Sequence, residues 1–272
     1  MNFKNILAKS DTQINGIKTN KFGVTQMLNK VPEVTLTFWI IKILATTVGE
    51  TGADYLAVNA GLGKAVTGAI MAALLIISLL IQLSRDRYVP WIYWLSVVLL
   101  SVVGTQITDA LTDGLGVSLY WSTAVFGTFL VGIFWIWYQS ERTLSINEIV
   151  TRRREVFYWA AILITFALGT AAGDLATETL GLGFRLGVLV FGLLIAVFAI
   201  AHRLGANAVL MFWLAYILTR PLGASLGDLL SQSKEYGGLG LGTVNTSIVF
   251  LSVIAALVLM VTVKERPQVK VL

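Results

Sequence analysis

Residues that bind metals through sulfur or nitrogen are scarce in this chain. Its 272 residues include no Cys and a single histidine, His202. The lack of Cys excludes disulfides, thiolate metal sites, iron–sulfur clusters and cysteine nucleophiles, and a lone His argues against a zinc site. The sequence also lacks a G-x-S-x-G motif, a P-loop and any His-rich motif. We therefore expect no enzymatic activity and no cofactor.

Charge is scarce as well, and long apolar runs take its place. Only 13% of the residues are charged, 56% are hydrophobic, and the mean hydropathy is +0.79. A soluble protein carries about twice that charged fraction. The composition predicts an all-α integral membrane protein whose main partner is the lipid bilayer. The net charge of +5 belongs to the loops and does not indicate binding of nucleic acid.

One pattern recurs four times: a Trp, a Gly ten residues later, and an Asp five residues after the Gly. The copies are Trp39, Gly49 and Asp54; Trp94, Gly104 and Asp109; Trp159, Gly169 and Asp174; and Trp213, Gly223 and Asp228. A recurrence at this length indicates tandem structural units. After a polar leader at 1–30, we place repeats at 31–84, 85–140, 141–203 and 204–272, all within one membrane domain.

Each repeat supplies two helices of roughly 20 residues, the length that crosses ~30 Å of hydrocarbon. The predicted helices cover 34–57, 63–83, 90–112, 118–138, 156–178, 184–202, 207–230 and 243–263. Short Gly-rich turns such as Gly114-Leu115-Gly116 and Gly181-Leu182-Gly183 join the two helices of a repeat. The pattern predicts eight transmembrane helices.

Basic residues cluster on one side of the predicted membrane. The leader, the loops between repeats and the tail hold 15 of the 20 Lys and Arg residues. That side is predicted to be cytoplasmic, with both termini inside. We expect the basic run Arg152–Arg154 to anchor the chain to anionic headgroups. Because two helices return the chain to its starting side, the four repeats are expected to be parallel and related by an axis along the membrane normal.

Polar residues concentrate on the first helix of each repeat, at steps of four that place them on one face. They are Lys42, Thr46, Glu50 and Asp54; Ser101, Thr105, Asp109 and Asp113; Thr170, Asp174 and Glu178; and Arg220 and Asp228. The second helices are almost uncharged, as lipid-facing helices are. We therefore expect the first helices to form an inner layer and the second helices an outer layer.

Two cations lie near the middle of predicted helices, Lys42 and Arg220. Facing lipid, each would cost about 2.5–3.5 kcal/mol. We expect both to face the interior and to pair with acidic residues, first of all Glu50 and Asp109. Intramembrane charges of this kind mark an ion pathway, or else a salt-bridge network that fixes helix register. Pro221 should kink the helix beside Arg220.

The repeated Asp residues allow two interpretations. They follow the Trp by about 22 Å of helix, which places Trp and Asp in opposite leaflets. Four carboxylates at one depth would attract a hard cation such as Mg²⁺, Ca²⁺ or Mn²⁺, or a proton. Alternatively, each Asp caps the adjacent turn or helix. We expect the Trp residues to be interface anchors and packing residues, and the Gly residues to permit close helix approach.

The segment from Phe38-Trp39-Ile40-Ile41-Lys42 through Thr46–Asp54 resembles the bacterial membrane protein family known as domain of unknown function 347. Four two-helix units that each open with a Trp strengthen the resemblance, which covers nearly everything after residue 30. It implies an integral protein of the bacterial inner (plasma) membrane. It carries no activity, ligand or site residue with it.

Three functions remain open. A secondary transporter of a small cation, either a hard metal ion or one coupled to protons, is the interpretation we favour. It explains one set of residues together as an ion pathway: Lys42, Glu50, Asp54, Asp109, Asp113, Asp174, Glu178, Arg220 and Asp228. The alternatives are a non-transporting scaffold with internal salt bridges and an ion channel. The positive charges of Lys42 and Arg220 argue against simple conduction of cations.

Overall fold

The computed structural model describes residues 29–58 and 64–264. This part of the chain contains eight long helices: α1 (Leu36–Val58), α2 (Lys64–Leu83), α3 (Pro90–Asp109), α4 (Leu119–Glu141), α5 (Arg152–Asp174), α6 (Gly183–Arg203), α7 (Ala208–Ser231) and α8 (Thr243–Lys264). The leader up to residue 28, the first Gly-rich turn and the tail after 264 lie outside the described residues. So does the side chain of Asp54.

The helix bounds lie close to the predicted ones, with one informative difference at α5. This helix begins four residues earlier than the sequence predicts, so the basic run forms its first turn. Thr151 Oγ1 caps the turn by accepting a hydrogen bond from Arg154 N at 3.2 Å. Arg154 in turn pairs with Glu141 at 2.9 Å, which ties the start of α5 to the end of α4.

Seven helices, α2 to α8, are long and apolar enough to cross a membrane. The exception is α1, which has the required length of 23 residues but carries Lys42 and Glu50 within it. Its neighbours α3, α7 and α8 surround it. Lower apolarity is tolerated there because protein, rather than lipid, covers most of the helix.

The first helices of the four repeats form a closed ring. α1 packs on α3, α3 on α5, α5 on α7, and α7 on α1. In α3, α5 and α7 the buried share of the membrane-length segment is 72%, 61% and 50%, against 22% or less in α2, α4, α6 and α8. The first helices are therefore the inner layer and the second helices the outer layer, as the distribution of polar residues predicts.

Each second helix covers the first helix of the following repeat. α2 packs on α3, α4 on α5 and α6 on α7, and α8 returns to pack on α1. Contacts between the two helices of one repeat are sparse by comparison. The last helix of the chain thus encloses the first.

Two inner helices change their winding just after the repeated Asp. α3 continues as the π-helical turn Ala110–Gly114, and α5 as Leu175–Thr179. A π-helical turn has more residues per turn, so side chains four positions apart no longer share one face. The predicted step-of-four column therefore ends at Asp109 and Asp174, and Asp113 and Glu178 lie in the π-helical turns.

Candidate functional site

The repeated glycines bring neighbouring inner helices into direct contact. In each contact, the Gly ten residues after its own Trp faces the residue seven positions after the Trp of the next repeat. The pairs are Gly49–Ser101, Gly104–Phe166, Gly169–Arg220 and Gly223–Thr46. A Cβ added to any of these glycines would lie 1.8–2.6 Å from a side-chain atom of its partner. One contact is therefore made four times around the ring, including the closure from α7 to α1.

A second cyclic contact joins the aromatic residues at the Trp end of the ring. The aromatic residue before each Trp packs on the Trp of the next repeat. The pairs are Phe38–Trp94, Tyr93–Trp159, Tyr158–Trp213 and Phe212–Trp39, with ring centroids 5.3–6.2 Å apart. Trp94, Trp159 and Trp213 are buried. Anchoring at the lipid interface is therefore wrong for these three, which are packing residues between repeats.

Arg220 lies at the centre of the ring and is held by the other three repeats. Its Nη2 donates to Glu50 Oε2 and to Thr105 Oγ1. Its Nε donates to Thr170 Oγ1 at 3.1 Å, and its Nη1 to the carbonyl oxygen of Thr46 at 2.8 Å. Glu50, Thr105 and Thr170 are all eleven residues after their Trp. The expected pair between Arg220 and Glu50 is present, and Arg220 is only 1% exposed.

Lys42 lies nearer the Trp end and has no carboxylate partner among the described residues. Its Nζ is 3.7 Å from the ring centroid of Phe166 and 4.2 Å from that of Tyr216. Within the described part of the chain this buried Nζ makes no hydrogen bond. The predicted acidic partner is therefore wrong for Lys42, because Glu50 lies two turns further along α1 and binds Arg220. Two aromatic faces surround the amine instead.

Carboxylates line the opposite end of the ring, which we call the Asp end. Their burial increases inward: Asp113 and Glu178 are exposed, Asp109 and Asp174 are half-buried, and Asp228 and Glu50 are buried. Asp174 lies within electrostatic range of Glu50, Glu178 and Asp228. Glu178 lies within range of Glu50 and Asp113. These side chains form an acidic mouth whose innermost carboxylate binds Arg220.

The structure separates the two interpretations of the repeated Asp in part. Asp109 and Asp174 make no side-chain capping hydrogen bond to the π-helical turns that they precede. At these two positions the Asp side chain therefore does not cap the π-helical turn that follows it. Among the described residues, no group of three or more His, Cys, Asp or Glu side chains is arranged to hold a metal ion.

Sequence reasoning missed a second buried ion pair, at the Trp end. Lys30 Nζ lies 2.8 Å from Glu155 Oε2, and the side chains are 4% and 0% exposed. Gln82 Nε2 donates to the other carboxylate oxygen of Glu155 at 3.0 Å. Lys30 was expected in a polar leader, outside the membrane domain. The one available signal was Glu155 itself, an acidic residue one turn before Trp159 on the same helix face.

The segment before α1 crosses the Trp end of the ring. Lys30 pairs with α5, which lies diagonally opposite α1. Backbone bonds fix the crossing: Lys30 N donates to Ile149 O at 2.9 Å, and Tyr88 N donates to Asn29 O at 3.1 Å. The Asn29 side chain donates to Ile146 O and accepts from Ile149 N, both at 3.1 Å. The segment Asn29–Pro32 is buried and covers this end.

An Asn29→Ala substitution tests how firmly this segment is held. It should lower the free energy of unfolding by about 1–3 kcal/mol, because the buried N–H of Ile149 loses its acceptor. Thermal unfolding in detergent measures the effect. The control is Asn245→Ala at an exposed side-chain hydrogen bond on α8, which should stay within about 0.5 kcal/mol of wild type. Equal effects at the two sites would contradict the tight attachment.

A ring of buried polar helices inside a layer of apolar helices defines a multi-pass, membrane-type helical protein built from internal repeats. The family described as Repeat of Unknown Function (DUF347) matches residues 37–88, 92–143, 157–205 and 211–267. The chain belongs to this family, as the resemblance predicts, and the four matches correspond to the four Trp-opened repeats. No match to a curated protein or to a solved structure is found.

Proposed function

We propose that this protein is a secondary transporter of a small cation, with a pathway along the axis of the ring. The observation that carries the proposal is a series of ionisable residues whose burial increases toward the centre of the ring. It runs from the exposed Asp113 and Glu178 to the buried Glu50, Arg220 and Lys42. Ionisable groups inside membrane helices are costly and mark pathways for ions or substrates. A mouth lined by carboxylates raises the local concentration of cations.

The contact between Arg220 and Glu50 supplies a way to couple cation binding to opening. The guanidinium fills the centre of the ring, and one of its hydrogen bonds goes to the carboxylate of Glu50. A cation that reaches Glu50 through the acidic mouth competes with Arg220 for the same carboxylate. Its arrival weakens the contact that closes the ring and favours a second conformation in which Arg220 has moved.

The membrane arrangement is part of the same proposal. All eight helices span the bacterial inner membrane, with the four repeats in the same orientation and both termini in the cytoplasm. The Gly contacts support this arrangement because they are equivalent at all four boundaries of the ring. At each boundary, the Gly ten residues after one Trp faces the residue seven positions after the Trp of the next repeat. The excess of Lys and Arg in the loops at the Trp end supports the cytoplasmic assignment.

A non-transporting scaffold is the second candidate, and the closed centre of the ring favours it. The residues seven positions after each Trp are no more than 1% exposed: Thr46, Ser101, Phe166 and Arg220. Fixing how the helices assemble can be the sole role of a buried charge network of this kind. The same closure, with two cations on the axis, argues against a permanently open ion channel.

Cation uptake by proteoliposomes separates a transporter from a scaffold. We expect faster uptake of at least one of Na⁺, K⁺, Mg²⁺, Ca²⁺ and Mn²⁺ than in protein-free liposomes. Asp174→Asn should reduce the initial rate about tenfold, a loss of ~1.4 kcal/mol, because it removes one charge of the acidic mouth. The control Glu235→Gln, at an exposed carboxylate after α7, should leave uptake unchanged. Folded protein that takes up none of the five ions would favour the scaffold.

A further inference from the structure

We propose that the four oxygen atoms around the Arg220 guanidinium form the binding site of the transported cation, and that this cation is a monovalent alkali ion. The inference rests on the proposed function and adds the site and the class of ion. The four atoms, which we call the oxygen cage, are Glu50 Oε2, Thr105 Oγ1, Thr170 Oγ1 and the carbonyl oxygen of Thr46. In the structure the guanidinium occupies this cage.

The cage presents only hydrogen-bond acceptors to its centre. On α3, Thr105 Oγ1 donates its proton to the carbonyl oxygen of Ser101 at 3.1 Å. On α5, Thr170 Oγ1 donates to the carbonyl oxygen of Phe166, also at 3.1 Å. A hydroxyl group has one proton, so its lone pairs remain for the centre, as do those of the carboxylate and the backbone carbonyl. Oxygen atoms of these kinds are the ligands that hard cations prefer.

Two oxygen atoms of the cage converge on one point. Glu50 Oε2 and Thr105 Oγ1 both accept a hydrogen bond from Nη2 of Arg220. An ion at the position of this nitrogen would contact both oxygens at once. The other two oxygens contact the neighbouring nitrogens of the same planar group, at 2.8 Å from Nη1 and 3.1 Å from Nε. The cage therefore has the compact size that suits a single ion.

The charge of the cage favours a monovalent ion. Of its four groups only Glu50 is charged, and its single negative charge matches the single positive charge of the guanidinium. An alkali ion would replace the guanidinium without changing the charge of this buried site. A divalent ion would add one positive charge, which is costly to hold away from water. The cage therefore favours Na⁺ or K⁺ over Mg²⁺, Ca²⁺ and Mn²⁺.

The glycine contacts hold the cage in shape. Three of them fix the residues that supply the backbone carbonyl or accept the protons of the two hydroxyls: Gly223–Thr46, Gly49–Ser101 and Gly104–Phe166. These three contacts do not involve the guanidinium. The oxygen atoms therefore keep their positions when the guanidinium moves away, and an arriving ion meets a site that is already formed.

Glu50 connects the cage to the acidic mouth. It is the innermost carboxylate of the mouth and is 7% exposed, whereas the three Thr residues of the cage are at most 1% exposed. An ion that enters from the Asp end reaches Glu50 first and the buried oxygen atoms afterwards. The cage oxygens then replace part of the hydration shell of the ion.

Removing the guanidinium should make the cage available to free ions. Arg220→Ala keeps the Cβ that packs on Gly169 and leaves the four oxygen atoms without their cation. The probes are Na⁺ and K⁺ in detergent, with choline keeping the ionic strength constant. Either ion, at about a hundredfold excess over its Kd, should raise the midpoint temperature of the variant by about 5 °C or more. Mg²⁺, Ca²⁺ and Mn²⁺ should not, and wild type should show a smaller shift because its guanidinium occupies the cage.

Matched controls remove single groups of the cage from the Arg220→Ala background. Adding Glu50→Gln should abolish the alkali-ion shift. Adding Thr105→Val should weaken the affinity for the ion about tenfold, because one oxygen ligand is lost. Adding Thr128→Val should leave it unchanged, since this exposed hydroxyl on α4 makes the same bond to the carbonyl four residues before it. The cage is overturned if no alkali ion stabilises Arg220→Ala, if divalent ions do so equally, or if wild type shifts as much as the variant.

Cation uptake by wild type in proteoliposomes separates failure of this inference from failure of the proposed function. Uptake without any alkali-ion shift in Arg220→Ala would overturn the cage and leave the transporter in place. An alkali-ion shift in a protein that takes up no ion would overturn the transporter and leave the cage as an ion site. If Arg220→Ala fails to fold, Thr105→Val alone decides: it should raise the half-saturating concentration of Na⁺ or K⁺ uptake about tenfold. An unchanged value would overturn the cage.

Discussion

A Glu50→Leu substitution is expected to destabilise the protein by about 3–5 kcal/mol, because it leaves a buried guanidinium without its carboxylate. Arg220 is 1% exposed and is enclosed by all four repeats, so it cannot turn toward water. Thr105 and Thr170 remain as neutral acceptors and do not neutralise the charge. Thermal unfolding in detergent should show the loss as a lower midpoint temperature.

The double variant Glu50→Leu with Arg220→Met separates structural from functional roles of this pair. Removing both charges should restore most of the stability, because apolar side chains replace both members of a buried pair. Cation uptake should nevertheless be lost, because the carboxylate for which the cation competes is gone. A double variant that still takes up cations would contradict a role of the pair in transport. The control is Glu148→Leu, at a half-exposed partner 3.6 Å from Arg154, where a loss below about 1 kcal/mol is expected.

A Gly104→Ala substitution is expected to cost about 3 kcal/mol, the upper part of the range for overpacking a close contact. The added Cβ would lie 2.6 Å from Phe166 Cβ and 3.3 Å from the backbone nitrogen of Ala167. Neither atom is the end of a flexible side chain, so the helices themselves must separate. Unfolding in detergent again measures the effect.

The matched control for Gly104 is the same substitution at Gly132, on α4. A Cβ at Gly132 would meet no atom within 4 Å. Ala should therefore be neutral there, or stabilising by up to ~1 kcal/mol, since it is the better helix former. We therefore expect Ala to lower the free energy of unfolding at Gly104 and to leave it unchanged or raise it at Gly132. Equal tolerance of Ala at both would mean that the inner helices pack more loosely than the structure shows.

The helices and their two layers could be predicted because each follows from local sequence. A membrane-type segment must satisfy its own backbone, so apolar length alone locates a helix. The contrast between the polar α3 and the apolar α2 then indicates which helix faces inward. The sequence does not, however, predict which helices pack against each other. Nothing in α2 indicates that it covers α3 rather than α1, because either face would bury similar apolar side chains.

The charge pairing could be predicted for Arg220 but not for Lys42. On α1, Lys42 and Glu50 lie two turns apart on one face, and the sequence predicts that this face points to the interior. Arg220 reaches the axis at the level between them and takes the carboxylate. Which of two cations reaches a shared anion depends on the offset between neighbouring helices, which is a tertiary property. The pair between Lys30 and Glu155 escaped prediction for a different reason, because Lys30 was assigned to the polar leader, outside the membrane domain.

The closed ring also bears on why four units occur in one chain. Every boundary between repeats is made of the same Gly contact and the same aromatic contact. Four separate copies of one helical hairpin could make those boundaries as a homotetramer. In such an assembly, however, an arginine at the level of Arg220 would face three identical arginines. Covalent fusion removes that constraint, so that one guanidinium can meet one carboxylate and two hydroxyls. A ring of four identical chains therefore cannot provide the asymmetric chemistry of the centre, whereas a genetically joined ring can.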